Sequence, residues 1–364
     1  MEKIFIWGTG FISKQTVEQC DIFNQYDVLG FIDNNANNTG KFFYDKEIFL
    51  PCILLENRPD KIVVLTNSYN EIKQQIMREF PDMLNIVENK NYFYKQSIIN
   101  RYHASYDMEV KCILDFLKSN DLQVFNYDFV KRYENLKINI MFDNDCGMYF
   151  VYHKNRKLYF AKSLNTLEKV KEYYTGLLVE QDEQSPHRYL DKKFDVREGG
   201  IVVDIGAAEG NFSLQIIDKV SKIYMIETDK EWVEALNYTF RDHKDKIIII
   251  DKFVTSTDAG KYATLDNLIG EPVDFIKMDI EGNEWDALLG ARQVISKSQD
   301  LKCAICCYHS DFDETLIRTV LASYGLTCST TQGYMWYPAM IRQTYISTRL
   351  CRGIVRGIRQ DMNQ

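Results

Sequence analysis

"IVVDIGAAEGNFSL", Ile201–Leu214, sets an acid inside an apolar run, follows it with a turn of glycine, alanine and one glutamate, and then runs on as mixed apolar and polar residues. That order reads as a buried strand, a tight turn and a helix. A bare turn needs one glycine at most. A turn this small predicts a ligand lying directly against its backbone, within reach of amide N–H groups and the amino end of the next helix. In doubly wound α/β sheets ligands lie at the carboxyl ends of strands, at the point where strand order reverses. Gly206, Ala207, Ala208 and Gly210, with Asp204 before them and Asn211 and Phe212 opening the helix, are therefore the candidate cofactor turn.

Downstream, "KIYMIET", "KIIIIDK", "VDFIKMDI" and "CAICCY" alternate with helical stretches, as expected of a parallel sheet. Glu227 ends the second strand about 20 residues after the turn, where an acid accepts both ribose hydroxyls. Asp251 ends the third, where an acceptor meets an adenine amino group. The turn departs from the dinucleotide pattern G-x-G-x-x-G, and Asp204 and Glu209 would repel a pyrophosphate. They suit a nucleoside with a cationic tail and no phosphate, which describes S-adenosylmethionine.

Three further clusters carry chemistry. In "DFIKMDIEGNEWDALLGA", Lys277, Asp279 and Glu281 alternate at the end of the fourth strand, so they are expected to share one side of the pleat. Three ionisable groups there would be expensive in a core, which favours a catalytic or cation-organising role. In "CCYHSDFDE", His309 ends the fifth strand, across from Asp279. In "VEQDEQSPHRY", Glu180, His187 and Arg188 fall in a break between helices and read as the substrate-binding lip of the site.

The N-terminal portion is a second βαβ unit. "KIFIWGTG" is a strand running into a glycine turn, Phe11–Cys20 the helix after it, and "DVLGFIDNN" a strand ending at Asp33. "DKIVVLTNS" and "YNEIKQQIMREF" continue the alternation. Between the two units, "MEVKCILDFLKSN", a hairpin turning at Lys154–Arg156 and "TLEKVKEYYTGLLVEQD" make a mixed bridge. The expected organisation is a Rossmann-like unit over 1–94, a bridge over 95–195 and a catalytic domain over 196–364. Near the end, "LTCST", "GYMWYP" and "RQTYISTR" read as a closing antiparallel hairpin, and "RLCRGIVRGIRQ" as a solvated basic helix face.

The 364 residues are 45% hydrophobic and 26% charged, which allows two packed domains. A net charge of −8 argues against a phosphate-backbone partner, so no nucleic acid is expected. Cys303, Cys306 and Cys307 lie in an apolar strand and act as small hydrophobes, since no second ligand pair follows. "MEKIFIWGTG" carries no charged leader and no window reaches a membrane span, so a cytoplasmic, reduced protein is expected.

With these clusters in order, the C-terminal half resembles FkbM-type S-adenosylmethionine-dependent methyltransferases, through "VVDIGAAEGNFSL", "IYMIETD", "ATLDNL", "DFIKMDIEGNEWDALLGA" and "AICCYHSDFDE". The resemblance covers roughly Glu180 to Thr348. It implies a class I, Rossmann-like, seven-stranded fold and O-methylation of a small-molecule or glycan hydroxyl, as in capsule, lipopolysaccharide or exopolysaccharide synthesis. Asp204, Gly206, Ala208, Gly210 and Asn211 would line the cofactor turn, Glu227 would hold the ribose, and Asp279, Glu281 and His309 would face the acceptor. His309 is the candidate general base, its ordinary pKa of about 6.5 lying near working pH. Asp279 would orient it, or Asp279, Glu281 and His309 would share a divalent cation that acidifies the hydroxyl.

The N-terminal unit resembles nucleotide-sugar-binding Rossmann-like domains through "IFIWGTG" and "GFIDNN", although Ser13 stands at the third glycine position. It reads either as a nucleotide site or as a scaffold that makes the chain a homo-oligomer. Two other functions compete: an NAD(P)- or nucleotide-sugar-dependent enzyme working at the N-terminal glycine turn, and a binding protein with a degenerate methyltransferase domain. The first would need NAD(P) near Gly8 and Asp33 and a Tyr-x-x-x-Lys pair for proton transfer; against the second, the acids and glycines of the site are all in place.

Overall fold

The computed structural model describes residues 1–338, 340–341 and 345–359. The chain divides into two compact units, Met1–Asn126 with Pro338–Arg349 and Tyr127–Tyr337 with Leu350–Gln364.

In the first unit, β1 (Lys3–Trp7), β2 (Asp27–Ile32), β3 (Phe42–Phe43), β4 (Lys46–Phe49), β5 (Lys61–Val64) and β6 (Val87–Glu88) form one sheet in the order β3-β4-β2-β1-β5-β6. β1 pairs in parallel with both β2 and β5. Phe5, Ile32, Ile62 and Val64 bury against Ile72 and Ile76 of the helix Tyr69–Glu79, so the near-continuous apolar runs of these strands follow from cover on both faces. β3, β4 and β6 escape a periodicity reading because they are two to four residues long. A short pair, β18 (Met340–Ile341) with β19 (Tyr345–Ile346), belongs to this unit.

The expected bridge over 95–195 does not stand as a body of its own. Its helices Tyr92–Tyr102 and Met108–Leu117 bury Ile98, Ile113 and Leu117 within the first unit. β7 (Ile140–Asp143), β8 (Met148–His153), β9 (Arg156–Tyr159) and the helix Leu167–Glu180 belong to the second, where the Tyr159 amide donates to Thr239 Oγ1 at 3.1 Å. An amphipathic helix or hairpin has to bury its apolar side against something larger, and each half of the bridge does so in a different unit. The hairpin turn is where it was expected. Lys154 and Asn155 have φ of 50° and 66°, the two left-handed residues of a two-residue loop whose twist matches the strands.

The second unit holds β10 (Ile201–Ile205), β11 (Lys222–Ile226), β12 (Ile247–Ile250), the small pair β13 (Phe253–Val254) and β14 (Tyr262–Ala263), β15 (Phe275–Met278), β16 (Lys302–Cys306), β17 (Thr327–Thr330) and β20 (Ile354–Ile358). Its main sheet is seven-stranded, ordered β12-β11-β10-β15-β16-β20-β17, with β20 antiparallel to both neighbours. Strand order reverses at β10, which puts a ligand crevice at the carboxyl ends of β10 and β15. Cys303, Cys306 and Cys307 are at most 2% exposed and pack as core.

Two readings of the C-terminal region are corrected. β17 is the strand expected at "LTCST", but its antiparallel partner β20 lies beyond the expected hairpin; of "RQTYISTR", Tyr345–Ile346 pairs antiparallel with Met340–Ile341, and 342–344 lie outside the described residues. β20 falls in the segment read as a solvated basic helix face, whose Gln360 is also outside the described residues. Ile354 and Val355 are fully buried, the Arg356 guanidinium pairs with Asp191, and Arg359 donates to the carbonyls of Ile295 and Tyr324. The arginines there serve the fold. Among the described residues no helix is long and apolar enough to cross a membrane.

Candidate active site

At the end of β10, Asp204 is fully buried and faces its register partner on β15, Lys277, with 3.2 Å between Oδ1 and Nζ. Ser213 donates to Asp204 Oδ2 at 2.7 Å, and Lys277 Nζ donates to the Gly206 carbonyl at 2.6 Å. Burial works against the Lys277 charge, and Asp204 and Asp279 more than offset it, so its pKa is raised. This pair therefore lies beneath the turn and fixes it. Neither Asp204 as a ligand contact nor Lys277 as a catalytic group is placed at the cavity. The expected alternation of Lys277, Asp279 and Glu281 along one side also fails, because β15 ends at Met278. Asp279 sits just past the strand end, while Glu281 occupies a left-handed turn position, φ 58°, with its side chain 81% exposed.

The smallness of the turn has two causes. Gly206 has φ +73°, and a Cβ there would come within 1.8 Å of the Asp279 carbonyl oxygen. Gly210 has φ +84°, and its Cβ would meet Leu236 and Phe240 at 2.7 Å. What presses on these glycines is the protein itself. Ala207 and Phe212 are buried, the Phe212 ring packing on Tyr189 and Phe275, and Asn211 starts the helix Asn211–Ile216; none of the three walls the cavity.

Gly206 and Ala208 do. With Glu227, Asp229, Trp232, Phe253, Asp279 and Glu281 they enclose about 390 Å³ beside the turn. The Glu227 carboxylate is held in place by three amides, those of Ala208 at 2.9 Å on Oε2 and of Thr228 and Asp229 at 2.6 and 2.8 Å on Oε1. Asp251 is exposed and outside the lining; Lys252 and Phe253 wall the cavity in its place. Glu209, in the turn, is 3% exposed, accepts from Tyr173 Oη at 2.6 Å, and has its pKa raised by burial.

Asp279 is the hub of a polar cluster just past the end of β15. Tyr189 Oη donates to Oδ2 at 2.8 Å and Tyr308 Oη to Oδ1 at 3.2 Å. Burial works to raise its pKa, and Lys277 first, then the neighbouring imidazoles and the Tyr189 hydroxyl, more than offset this, so it stays below the usual carboxylate range. His309 Nε2 lies 3.6 Å from Asp279 Oδ1 and 3.6 Å from Glu281 Oε2, so the expected juxtaposition across β15 and β16 is present. The imidazole is nevertheless only 5% exposed and stands behind those two carboxylates. Its Nδ1 is 3.1 Å from Glu284 Oε1. Burial works to lower the His309 pKa, and Glu284, then Asp279 and Glu281, turn the balance upward.

The expected lip divides. Burial, then Asp279 and Glu209, push the Glu180 carboxyl up to about 8, so it belongs to the acidic neighbourhood of the crevice. His187 is a core residue, 2% exposed, with Nε2 3.1 Å from Tyr308 Oη, and burial lowers its pKa to about 4. Arg188 points elsewhere. It donates to the Leu190 carbonyl at 2.6 Å and lines a separate opening with Lys192 and Arg356. Sequence reasoning missed Tyr189, Tyr308, Tyr337, Trp232 and Glu284. Tyr189 and Tyr308 adjoin flagged residues and were legible by neighbourhood; Trp232 and Tyr337 come from distant segments and were not. Of the acids expected to share a cation with His309, Asp279 is close-grouped with it, and Glu284 rather than Glu281 completes a set whose ligand atoms lie within 4.8 Å of one another.

Residues 145–322 match the family model described as Methyltransferase FkbM domain, and residues 1–87 the one described as C2185-like, N-terminal. A mitochondrial ribosomal RNA small subunit methyltransferase of Arabidopsis thaliana is 35% identical over 76 residues, 20% of this chain and 20% of its own length. A probable ribosomal RNA small subunit methyltransferase A of Methanococcoides burtonii is 32% identical over 98 residues, 26% of this chain and 36% of its own. The chain thus spans roughly a fifth to a third of the curated relatives it matches. Among solved structures, methyltransferase FkbM from Methylobacillus flagellatus KT is 18% identical with TM-score 0.45, covering 98% of this chain and 90% of its own. A SAM-dependent methyltransferase from Aquifex aeolicus is 16% identical with TM-score 0.35, covering 52% and 97%. Over residues 145–322, just under half of its length, the chain is similar to the FkbM methyltransferase domain family.

Proposed function

We propose that the second unit moves a methyl group from S-adenosylmethionine to a hydroxyl of a sugar or glycan acceptor. The observation that carries this is the Glu227 carboxylate, fixed by three amides at the edge of a cavity whose other ionised groups are mostly acids. An acid so placed accepts ribose hydroxyls, and Asp279, Glu281 and the nearby Glu209 complement a cation, where a phosphate would be repelled. When bound, S-adenosylmethionine supplies a methyl on a positively charged sulfur, ready for in-line displacement. The chain's own work is positioning and proton removal. His309 serves as general base, and Asp279 orients the imidazolium that forms. Glu281, four-fifths exposed and held by Tyr337 Oη at 3.4 Å, is the group an incoming hydroxyl displaces to reach Nε2. Tyr337, half-buried with its ring against Tyr308 and His309 and its hydroxyl on Glu281, offers an aromatic group beside His309 that a polyhydroxylated ring can meet. A net charge of −8 and an acidic crevice weigh against an RNA acceptor, despite the names of the partial relatives.

The test is calorimetric titration with S-adenosylhomocysteine, beside Glu227→Ala. Micromolar binding that the variant abolishes is the expected result, and no heat from the wild type would sink the reading.

For the first unit we propose nucleotide binding. Gly8, Thr9, Gly10, Asp33, Asn34 and Arg78 border a cavity of about 820 Å³ at the carboxyl ends of β1, β2 and β5. Asp33 is fixed there by Thr9 Oγ1, Asn38 Nδ2 and the Asn35 amide. Titration with UDP and NAD, beside Asp33→Ala, tests it. No binding of either leaves the unit a scaffold.

A further inference from the structure

Glu284 has no part in the transfer described above, yet it is among the most deeply placed acids of the second unit. It opens the helix Glu284–Leu289 and is 1% exposed. A carboxylate so buried is costly unless a cation or hydrogen-bond donors face it. Its Oε1 accepts from the Ile280 amide at 2.8 Å and lies 3.1 Å from His309 Nδ1; among the described residues no lysine or arginine pairs with it. The turn before the helix closes on the imidazole. Gly282 has φ +98°, and a Cβ there would stand 3.3 Å from His309 Cβ. The two ring nitrogens therefore face different groups, Nδ1 the buried Glu284 and Nε2 the cavity-side Asp279 and Glu281.

We propose that Glu284 is the positioning residue of the base: its carboxylate accepts the Nδ1 proton of His309 and so leaves the Nε2 lone pair directed at the acceptor side. This rests on the reading of His309 as the base. An isolated neutral imidazole is free to carry its proton on either nitrogen, and the bond made by one nitrogen decides the chemistry of the other. With Glu284 in place the tautomer able to take a proton from a hydroxyl is the one the fold selects. The raised His309 pKa has the sign this pairing requires.

The experiment is nitrogen NMR of ¹⁵N-histidine-labelled full-length protein at a pH where the imidazoles are neutral. His309 is assigned by its loss in His309→Asn among the five histidines. The wild type is expected to show His309 protonated at Nδ1, with a downfield Nδ1 proton. In Glu284→Gln, which keeps an oxygen for the Ile280 amide, that downfield signal disappears and the tautomers mix; Glu284→Asp restores the signal in part. A wild-type His309 protonated at Nε2 would overturn the proposal, as would an unchanged signal in Glu284→Gln. Should Glu284→Gln not fold, the wild-type tautomer alone still decides. Failure of S-adenosylhomocysteine to bind the wild type would remove the methyl-transfer reading while leaving the Glu284–His309 pair as observed, so the two failures are separable.

Discussion

Gly8 and Gly206 hold the same place in two different sheets, and the difference between them lies in what grips them. Each follows the first strand of its unit's main sheet, each has positive φ, +122° and +73°, and each has close to its would-be Cβ the carbonyl just past the end of a neighbouring strand, Leu65 O at 3.0 Å and Asp279 O at 1.8 Å. Each glycine's carbonyl accepts from a side chain beneath it. Under Gly8 the donor is Ser13 Oγ at 2.8 Å, a neutral hydroxyl that also reaches Leu65 O. Under Gly206 it is Lys277 Nζ at 2.6 Å, itself paired with the buried Asp204. Parallel topology asks for the glycine in both; the electrostatics of the crevice are set separately, by the residues beneath and around it.

The comparison is sharpest where the protein is closest to itself. Gly206→Ala sets a methyl 1.8 Å from backbone that cannot swing aside, so the second unit should lose more than about 4 kcal/mol, while Gly8→Ala should cost about 2 kcal/mol of strain. Urea unfolding of the two variants measures this, and equal losses would break the parallel. The grips rank likewise. Lys277→Met leaves Asp204 buried and unpaired, worth about 4 kcal/mol, whereas Ser13→Ala removes a neutral hydrogen bond worth about 1 kcal/mol. A Lys277→Met variant as stable as the wild type would mean that Asp204 takes up a proton at little cost.

Acid bears on the second unit as well. His187 is held neutral, its pKa lowered from 6.5 to about 4 by burial and then by Lys277 and His309, with Asp279 opposing. The unfolded chain takes a proton there below pH 6.5 and the folded chain does not. This group's contribution is therefore complete above pH 6.5 and is lost as pH falls toward 4, by about 3 kcal/mol in all. Glu180, its carboxyl pushed up to about 8, works in the opposite direction over the same range, so the test is the difference between wild type and His187→Gln. Amide hydrogen exchange in β10 and β16, followed from pH 7 to 4.5, should lose less protection in the variant than in the wild type, and the same pH dependence in both would refute the assignment.

The fold was legible where its strands are apolar and bounded by turn residues. Ile201–Ile205 and Phe275–Met278 could hardly be anything but central strands. The short strands were not legible, since two residues carry no period, and neither was β20. Its arginines look like a solvated face until their partners, Asp191 for Arg356 and the Ile295 and Tyr324 carbonyls for Arg359, are seen to come from far along the chain. The site was legible by type but not by depth. Sequence placed Asp204 at the cofactor turn and Lys277 with Asp279 at the end of the fourth strand, and spacing cannot say that Asp204 and Lys277 pair under the turn while Asp279 reaches the cavity. Glu284 was invisible for a related reason: an acid opening a helix usually answers the helix dipole, and only burial against His309 marks this one out.

The smallest expected effect on stability is the most informative about ligands. Gly10 caps the helix Phe11–Gln19 with φ −87°, and a Cβ there would meet nothing within 4 Å. Nothing in the fold requires glycine at this position, so Gly10→Ala should change stability by no more than about 0.5 kcal/mol. It borders the 820 Å³ crevice of the first unit, however, and a methyl group there would stand where a phosphate approaches the amino end of the helix. If the crevice takes a nucleotide, Gly10→Ala should weaken UDP or NAD binding at least tenfold while thermal unfolding stays put. Unaltered binding would mean that the nucleotide lies away from the turn. A large loss of stability would mean instead that Gly10, like Gly206, is held by the protein and not kept open for a ligand.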